Sequence, residues 1–353
     1  MAGVEPQARR YDLCAYSDAL TDTYHELDPE ALGGLGLMLG RSILIDSEGA
    51  AGIESQLAGS TAIAVCAGGS PANTACGLVR LGGSACLIGV VGDDDRGRRY
   101  LAEMERVGVE PRFGMKAGPS GICYTMLSPS GERSFGFAPG VAVELEIEDL
   151  ALEAIAASRW FHTSAYQLRS GPAGIPAMRA AFAAAHAAGT QISLDLGDAG
   201  VIEQHYSVLC ELLARPIALL LVTVEEGRAL AQVGPEAELD EIARRLEGYA
   251  ELLIIKRASR GCVVLREGKL LKVPALKVKA IDDNGAGDSF AAGFIKGLLD
   301  AHQPMIAARI GCYYASLVVS KLGSQDGKTI DDVAAKSREA FQAFGLDSEE
   351  QSP

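Results

Sequence analysis

From residue 145 onward, short contiguous apolar runs alternate with longer segments whose apolar positions fall three to four apart. The runs at 160–164, 191–196, 217–222 and 252–256 have the length and aliphatic content of buried strands. Helical spacing fills the segments 175–188, 201–213, the stretch from Glu225, and 239–248, and returns at 305–322 and 331–343. Ahead of them, strands are expected at 11–16, 61–66 and 85–91, with helices at 49–57, from Ser70 to about Leu81, and at 97–107. This order predicts an α/β fold: a mainly parallel central sheet with helices on both faces, and ligands outside the carboxyl ends of its strands. Two stretches depart from the rhythm. Residues 17–46 are rich in Gly and Leu and do not read as a crossover helix, and 122–127 and 133–137 flank the turn residues Ser128-Pro129-Ser130-Gly131-Glu132. Both read as material for a separate small sheet.

The densest chemistry follows an apolar run at 270–281, read as strand. There Gly285-Ala286-Gly287-Asp288 opens directly into a helix with apolar positions at Phe290, Phe294, Ile295 and Leu298. Small residues let the backbone approach a ligand, and the first-turn N–H groups lack helical partners, so such a start attracts anions. Asp288 beside that cradle meets the need of phosphoryl transfer to a hydroxyl: the carboxylate takes the proton while the N–H groups meet the phosphoryl charge. A tight loop with a helix cap would use the same residues. A second constellation, Gly68-Gly69 with Asn73, stands at another helix start, where Ser70 is the expected N-cap and Pro71 the first helical residue. Asn73 and Asn284 are the only asparagines of the chain, one in each constellation.

Composition narrows the classes. With 353 residues, 48% hydrophobic and 22% charged, the chain has the make-up of a soluble globular protein. A formal net charge of −14 argues against general nucleic-acid or acidic-membrane binding, and no apolar run is long enough to span a bilayer. Residues 1–10 carry no apolar signal-peptide core. The eight cysteines stand singly with no C-x-x-C spacing, which fits reduced thiols and a cytoplasmic protein. The five histidines make no metal spacing. Gly323-Ser324-Gln325-Asp326-Gly327-Lys328-Thr329 is one residue short of a P-loop and follows a helical pattern, so it is set aside.

Three motifs, GGSPANTA at 68–75, VGDDDRGRR at 91–99 and DDNGAGDSFAAGF at 282–294, resemble the ribokinase-like (PfkB) carbohydrate and nucleoside kinases in content and order. The similarity runs from Tyr11 to about Gly323, and SDALTD with the SPSGERSF turn is most similar to the adenosine-kinase-like branch. The resemblance implies a three-layer α/β/α large domain, 11–16, 48–117 and 141–345, with a small β lid, 17–47 and 118–140. It implies transfer of the γ-phosphoryl of ATP, with Mg2+, to a hydroxymethyl group of a sugar or nucleoside. Asp288 matches the family's base, and the turn Gly285, Ala286, Gly287 its anion hole. Asp18, Asp22, Gly68, Gly69 and Asn73 match substrate-binding positions, and Arg133 a lid arginine that approaches the phosphoryl. Thr223, Glu226, Lys256, Gly261, Asp283 and Asn284 fall at nucleotide-binding positions, Glu226 reaching the metal through water. Pairing through lids, common in the family, allows a homodimer.

Four residues depart from the family pattern: Thr223 and Asp18 stand in place of asparagine, Ala258 of glycine and Asp283 of threonine. Asp283 adds a negative charge at the phosphate cradle. Two outcomes are open for it: an ion pair, with Lys256 or Arg257 as partner, or a share in holding a divalent ion through water. A ribose- or fructose-type sugar kinase is the alternative within the family, and a non-catalytic ligand-binding pseudokinase the alternative outside enzymes.

Overall fold

The structure is a computed structural model that describes residues 9–27, 29–39, 41–58, 61–128, 133–169, 171–324 and 327–346. Fourteen strands form among them: β1 (Tyr11–Tyr16), β2 (Leu20–Glu26), β3 (Ser42–Leu44), β4 (Ala64–Gly68), β5 (Ala85–Gly92), β6 (Val109–Lys116) and β7 (Gly121–Leu127), then β8 (Arg133–Ala138), β9 (Ser158–Ser164), β10 (Gln191–Asp195), β11 (Ile217–Thr223), β12 (Ala250–Lys256), β13 (Cys262–Arg266) and β14 (Lys269–Val273). Nine make the large sheet, in the order β14-β13-β12-β11-β10-β9-β1-β5-β6. From β6 to β12 all neighbours are parallel, and β13 and β14 close the far edge antiparallel.

Strand β11 shows why the contiguous apolar runs become central strands. Ile217 to Val222 are all buried, because helices cover both faces and alternation has no solvent side to serve. On one face Leu194, Leu220, Val222 and Ile255 pack on Met178, Ala181 and Phe182 of the helix Gly171–Ala188. On the other, Leu219, Leu221 and Ile254 pack on Phe290 and Phe294 of the helix Ala286–Leu299.

The small sheet runs β3-β8-β7-β2-β4. One face, with Ile122, Tyr124, Met126 and Ala138, is covered by Leu32, Leu35, Leu37 and Ile53. The other carries Asp22, Cys66, Cys123, Thr125, Phe135 and Phe137, which are neighbours in register and so share a side. This sheet takes in more chain than 17–47 and 118–140. β4 pairs antiparallel with β2, and Ile53 of the helix Ser47–Leu57 joins its core.

Other elements differ from the sequence expectation. The run 270–281 is strand only to Val273, since Pro274 has no N–H to continue the ladder. The helix expected over 201–213 is two helices, Ala199–Gln204 and Tyr206–Leu212, broken at His205. β6 was not expected; its Pro111 sits where proline is tolerated, on an edge strand. The turn residues 129–132 lie outside the described residues. No described helix is long and apolar enough to cross a membrane.

Candidate active site

The site forms where the small sheet faces the carboxyl ends of the large sheet's strands. Its centre is Asp288, in the first turn of the helix Ala286–Leu299. The preceding Gly285 has φ 74°, and a Cβ there would stand 2.2 Å from the Ser324 carbonyl oxygen, so the turn demands glycine. No side chain caps this helix start; the Ala286 N–H bonds the Asp283 carbonyl at 3.2 Å. Ser324 also donates to Asn73 Oδ1 at 3.2 Å, and the Gly323 N–H donates to Asp282 Oδ2 at 2.9 Å. Gly323 and Ser324, at the start of the stretch set aside as a failed P-loop, are therefore a wall of the site, which its spacing gave no means of seeing.

Both oxygens of Asp288 are held. Ser70 Oγ donates to Oδ1 at 2.7 Å and Asn73 Nδ2 to Oδ2 at 2.9 Å. Ser70 does not cap its own helix: that helix is Ser70–Arg80, its N-cap is Gly69, and the hydroxyl serves Asp288 instead. Gly69 has φ 99°, and a Cβ on it would meet the Asp18 carbonyl oxygen at 2.2 Å. Burial raises Asp288 to about 6, against the hydrogen bonds from Ser70 and Asn73, which favour the ionised form.

Two more carboxylates are buried nearby. Asp22, on β2, lies where a Cβ on Gly68 would stand 2.4 Å from its Oδ2. Burial, then the charges of Asp288 and Asp282, push Asp22 up to about 7. Asp18 is raised to about 6 by burial, partly offset by a hydrogen bond with Gln167, and its Oδ1 has no partner among the described residues.

A third group gathers at the ends of β10, β11 and β12. Lys256 Nζ bonds Asp195 Oδ2 at 2.6 Å, reaching across the end of β11. Thr223 and Glu226 form a capping box: Glu226 Oε2 accepts from the Thr223 N–H at 2.8 Å, and Thr223 Oγ1 accepts from the Glu226 N–H at 3.2 Å. Burial raises Glu226, with Lys256 opposing. Gly261 closes the turn after Lys256, its carbonyl accepting from the Arg257 N–H at 2.7 Å. Ala258 in that turn keeps a positive φ of 50° despite its side chain.

Arg133 and Asp283 differ most from expectation. Arg133 Nη1 is 2.7 Å from Asp282 Oδ1 and also touches Asp283, while Nη2 donates to the Ile281 carbonyl at 3.2 Å. The partner of Asp283 is thus Arg133, and neither Lys256 nor Arg257. The Arg133 guanidinium grips the loop before the Gly285-Ala286-Gly287 turn. Asn284 Nδ2 donates to Tyr24 Oη at 2.8 Å, a second lid contact to the same loop. Asp282, Ser70, Ser324, Asp195 and Tyr24 are site residues that the motif reading passed over.

A model of the pfkB family carbohydrate kinases matches residues 43–331. A fructokinase of Klebsiella pneumoniae is 31% identical over 237 residues, covering 66% of this chain and 77% of the relative. The crystal structure of an adenosine kinase from Sinorhizobium meliloti superposes with a TM-score of 0.83 at 26% identity, covering 94% of this chain and 99% of that one. A probable sugar kinase from Rhizobium etli CFN 42 shares the fold, with a TM-score of 0.83 at 24% identity over 96% of this chain and 99% of that one.

Proposed function

The chain belongs to the pfkB family of carbohydrate kinases, and from that premise we propose that it transfers the γ-phosphoryl group of ATP to a hydroxymethyl group of a sugar or nucleoside, with Asp288 as general base. The observation that carries this reading is the held carboxylate of Asp288 at an uncapped, glycine-opened helix start. A base near pH 6 is ionised at neutrality yet still able to draw a proton from a hydroxyl. The turn Gly285, Ala286, Gly287 receives the phosphoryl oxygens.

Asp18 and Asp22 suit the hydroxyls of a polyhydroxylated ring, since ionised carboxylates only accept. Asn73 is engaged with Asp288 and Ser324, and its amide, with two donors and two lone pairs, also suits a hydroxyl of the acceptor. Among the described residues, no three His, Cys, Asp or Glu side chains converge to cage a metal alone. The carboxylate of Glu226 at the strand ends fits an Mg2+ ion that arrives on the nucleotide and is reached through water. Such an ion neutralises charge on the phosphates.

A sugar acceptor is favoured by similarity to the Klebsiella pneumoniae fructokinase. A nucleoside acceptor is favoured by Phe135 and Phe137, which lie on the site-facing side of the small sheet and outside its buried core, where a planar base could rest. Acceptor-dependent ADP release across sugars and nucleosides tests both. Release with one class selects it. Silence across the panel, with ATP still bound, would support a ligand-binding pseudokinase.

A further inference from the structure

We propose that Lys256 is a catalytic residue of the phosphoryl transfer, and that Asp195 is the positioning residue that aims it at the anion turn. The inference rests on the kinase reading above and extends it to a pair with no assigned partnership.

The pair is built by topology. Asp195 ends β10 and Lys256 ends β12, with only the end of β11 between them. The lysine side chain lies 15% exposed and the aspartate 4%. The Asp195 carboxylate is itself fixed at both oxygens: Oδ1 accepts from the Gly197 N–H at 3.1 Å, and Oδ2 from Lys256. Thus a flexible four-carbon stem with several rotamers is held in one place before any ligand arrives.

That place is the anion turn. Lys256 Nζ is 3.4 Å from the point where a Cβ on Gly287 would stand, so the ammonium lies against the second residue of the helix carrying Asp288. Three carboxylates face it: Asp195 from β10, Glu226 from the helix Val224–Ala231, and Asp288. Burial pulls the lysine down, but Asp195 and Glu226 outweigh it, and the ammonium stays protonated. His162, also near, is kept neutral by burial, lowered to about 4, and adds no charge. Arg133 is engaged with Asp282 and Asp283. Lys256 Nζ is thus placed to set a cation against a polyphosphate that reaches this helix start, among the carboxylates of Asp195, Glu226 and Asp288.

The acceptor hydroxyl gives its proton to Asp288, and its oxygen forms a bond to the γ-phosphorus. The bond from that phosphorus to the β,γ-bridging oxygen breaks, and ADP leaves with the electron pair. Lys256 keeps its proton throughout and offsets charge on the transferring oxygens, as a preorganised donor does.

Steady-state kinetics of the full-length enzyme on its best acceptor, with thermal melting of each variant, test the proposal. Lys256→Met should lower kcat by about 100-fold or more while the acceptor KM stays within about threefold. Lys256→Arg should restore part of that loss. Asp195→Asn should lower kcat by about tenfold, and the double variant should be no slower than Lys256→Met alone, because the two residues act as one unit. Losses that multiply in the double variant, or a kcat for Asp195→Asn that is unchanged, would overturn it. Should Lys256→Met fail to fold, Asp195→Asn and Lys256→Arg decide alone: wild-type kcat in Asp195→Asn rejects the pair, whatever Lys256→Arg does. A wild type that releases no ADP with any acceptor rejects the kinase reading, and this proposal with it.

Discussion

The side chain of Asp288 stands where the residues place it, in the first turn of a helix opened by Gly-Ala-Gly, a position that a plain helix cap would also fill. Its two supports were not readable. Ser70 sits where helix-capping rules place a cap, and its real bond runs 218 positions along the chain. The partnership of Asp195 with Lys256 is hidden for the same reason, since it depends on β10 and β12 flanking β11. Asp288→Asn should fold and bind ATP yet lose kcat by several orders of magnitude, measured as ADP release. The rate should also carry an acidic limb near pH 6, because the base must be ionised. Ser70 and Asn73 donate to the ionised form, so removing one donor disfavours that form. Ser70→Ala should therefore move the limb to higher pH. A limb that stays in place would separate Ser70 from the base.

Among the elements, those with contiguous or cleanly periodic apolar positions were legible, as β11 and the helix Ala286–Leu299 show. Those defined by tertiary pairing were not: β4 reads like any short strand and joins the small sheet only because β2 is there to receive it. The loop 281–284 belongs to this second kind. Two lid strands grip it, β8 through Arg133 and β2 through Tyr24. Asp282 is fully buried, with bonds from the Asn284 and Gly323 N–H groups besides Arg133. Asp283 is 85% exposed, so its contact with Arg133 contributes about 0–1 kcal/mol. Asp283→Thr should accordingly change stability by less than about 1 kcal/mol in a denaturant titration and leave the magnesium requirement unmoved. A several-fold rise in the magnesium concentration for half-maximal rate would return Asp283 to the metal. Arg133→Ala strips the cation from a buried carboxylate and should cost more, up to about 3–5 kcal/mol.

At the scale of the whole molecule, the lid and the large sheet meet across like charges. Asp22 comes from lid strand β2 and faces Asp288 and Asp282 from the body, with Cys66 on β4, Cys123 on β7 and Tyr24 of its own strand around it. Burial first, then the two facing carboxylates, carry Asp22 from the ordinary 3.8 to about 7, on the order of 4 kcal/mol against its charged form. The closed arrangement therefore holds a proton that an opened lid, with Asp22 in water, would release. A group whose closed-state pKa is raised stabilises closure fully below the open-state value, and that contribution fades as pH rises toward 7. The ligand-free lid should thus be tighter at pH 5 than at pH 8. Hydrogen exchange of the β2 and β7 amides, corrected for the intrinsic pH dependence of exchange, should show protection falling across that window. Strands β10 and β11 serve as the internal control. In Asp22→Asn the charge is gone, so the lid amides should keep their low-pH protection at pH 8. Equal pH dependence in wild type and variant would remove Asp22 from the control of closure. An acceptor whose hydroxyls bond the ionised Asp22 would replace the proton as the closing agent, which ties lid closure to occupancy of the site at neutral pH.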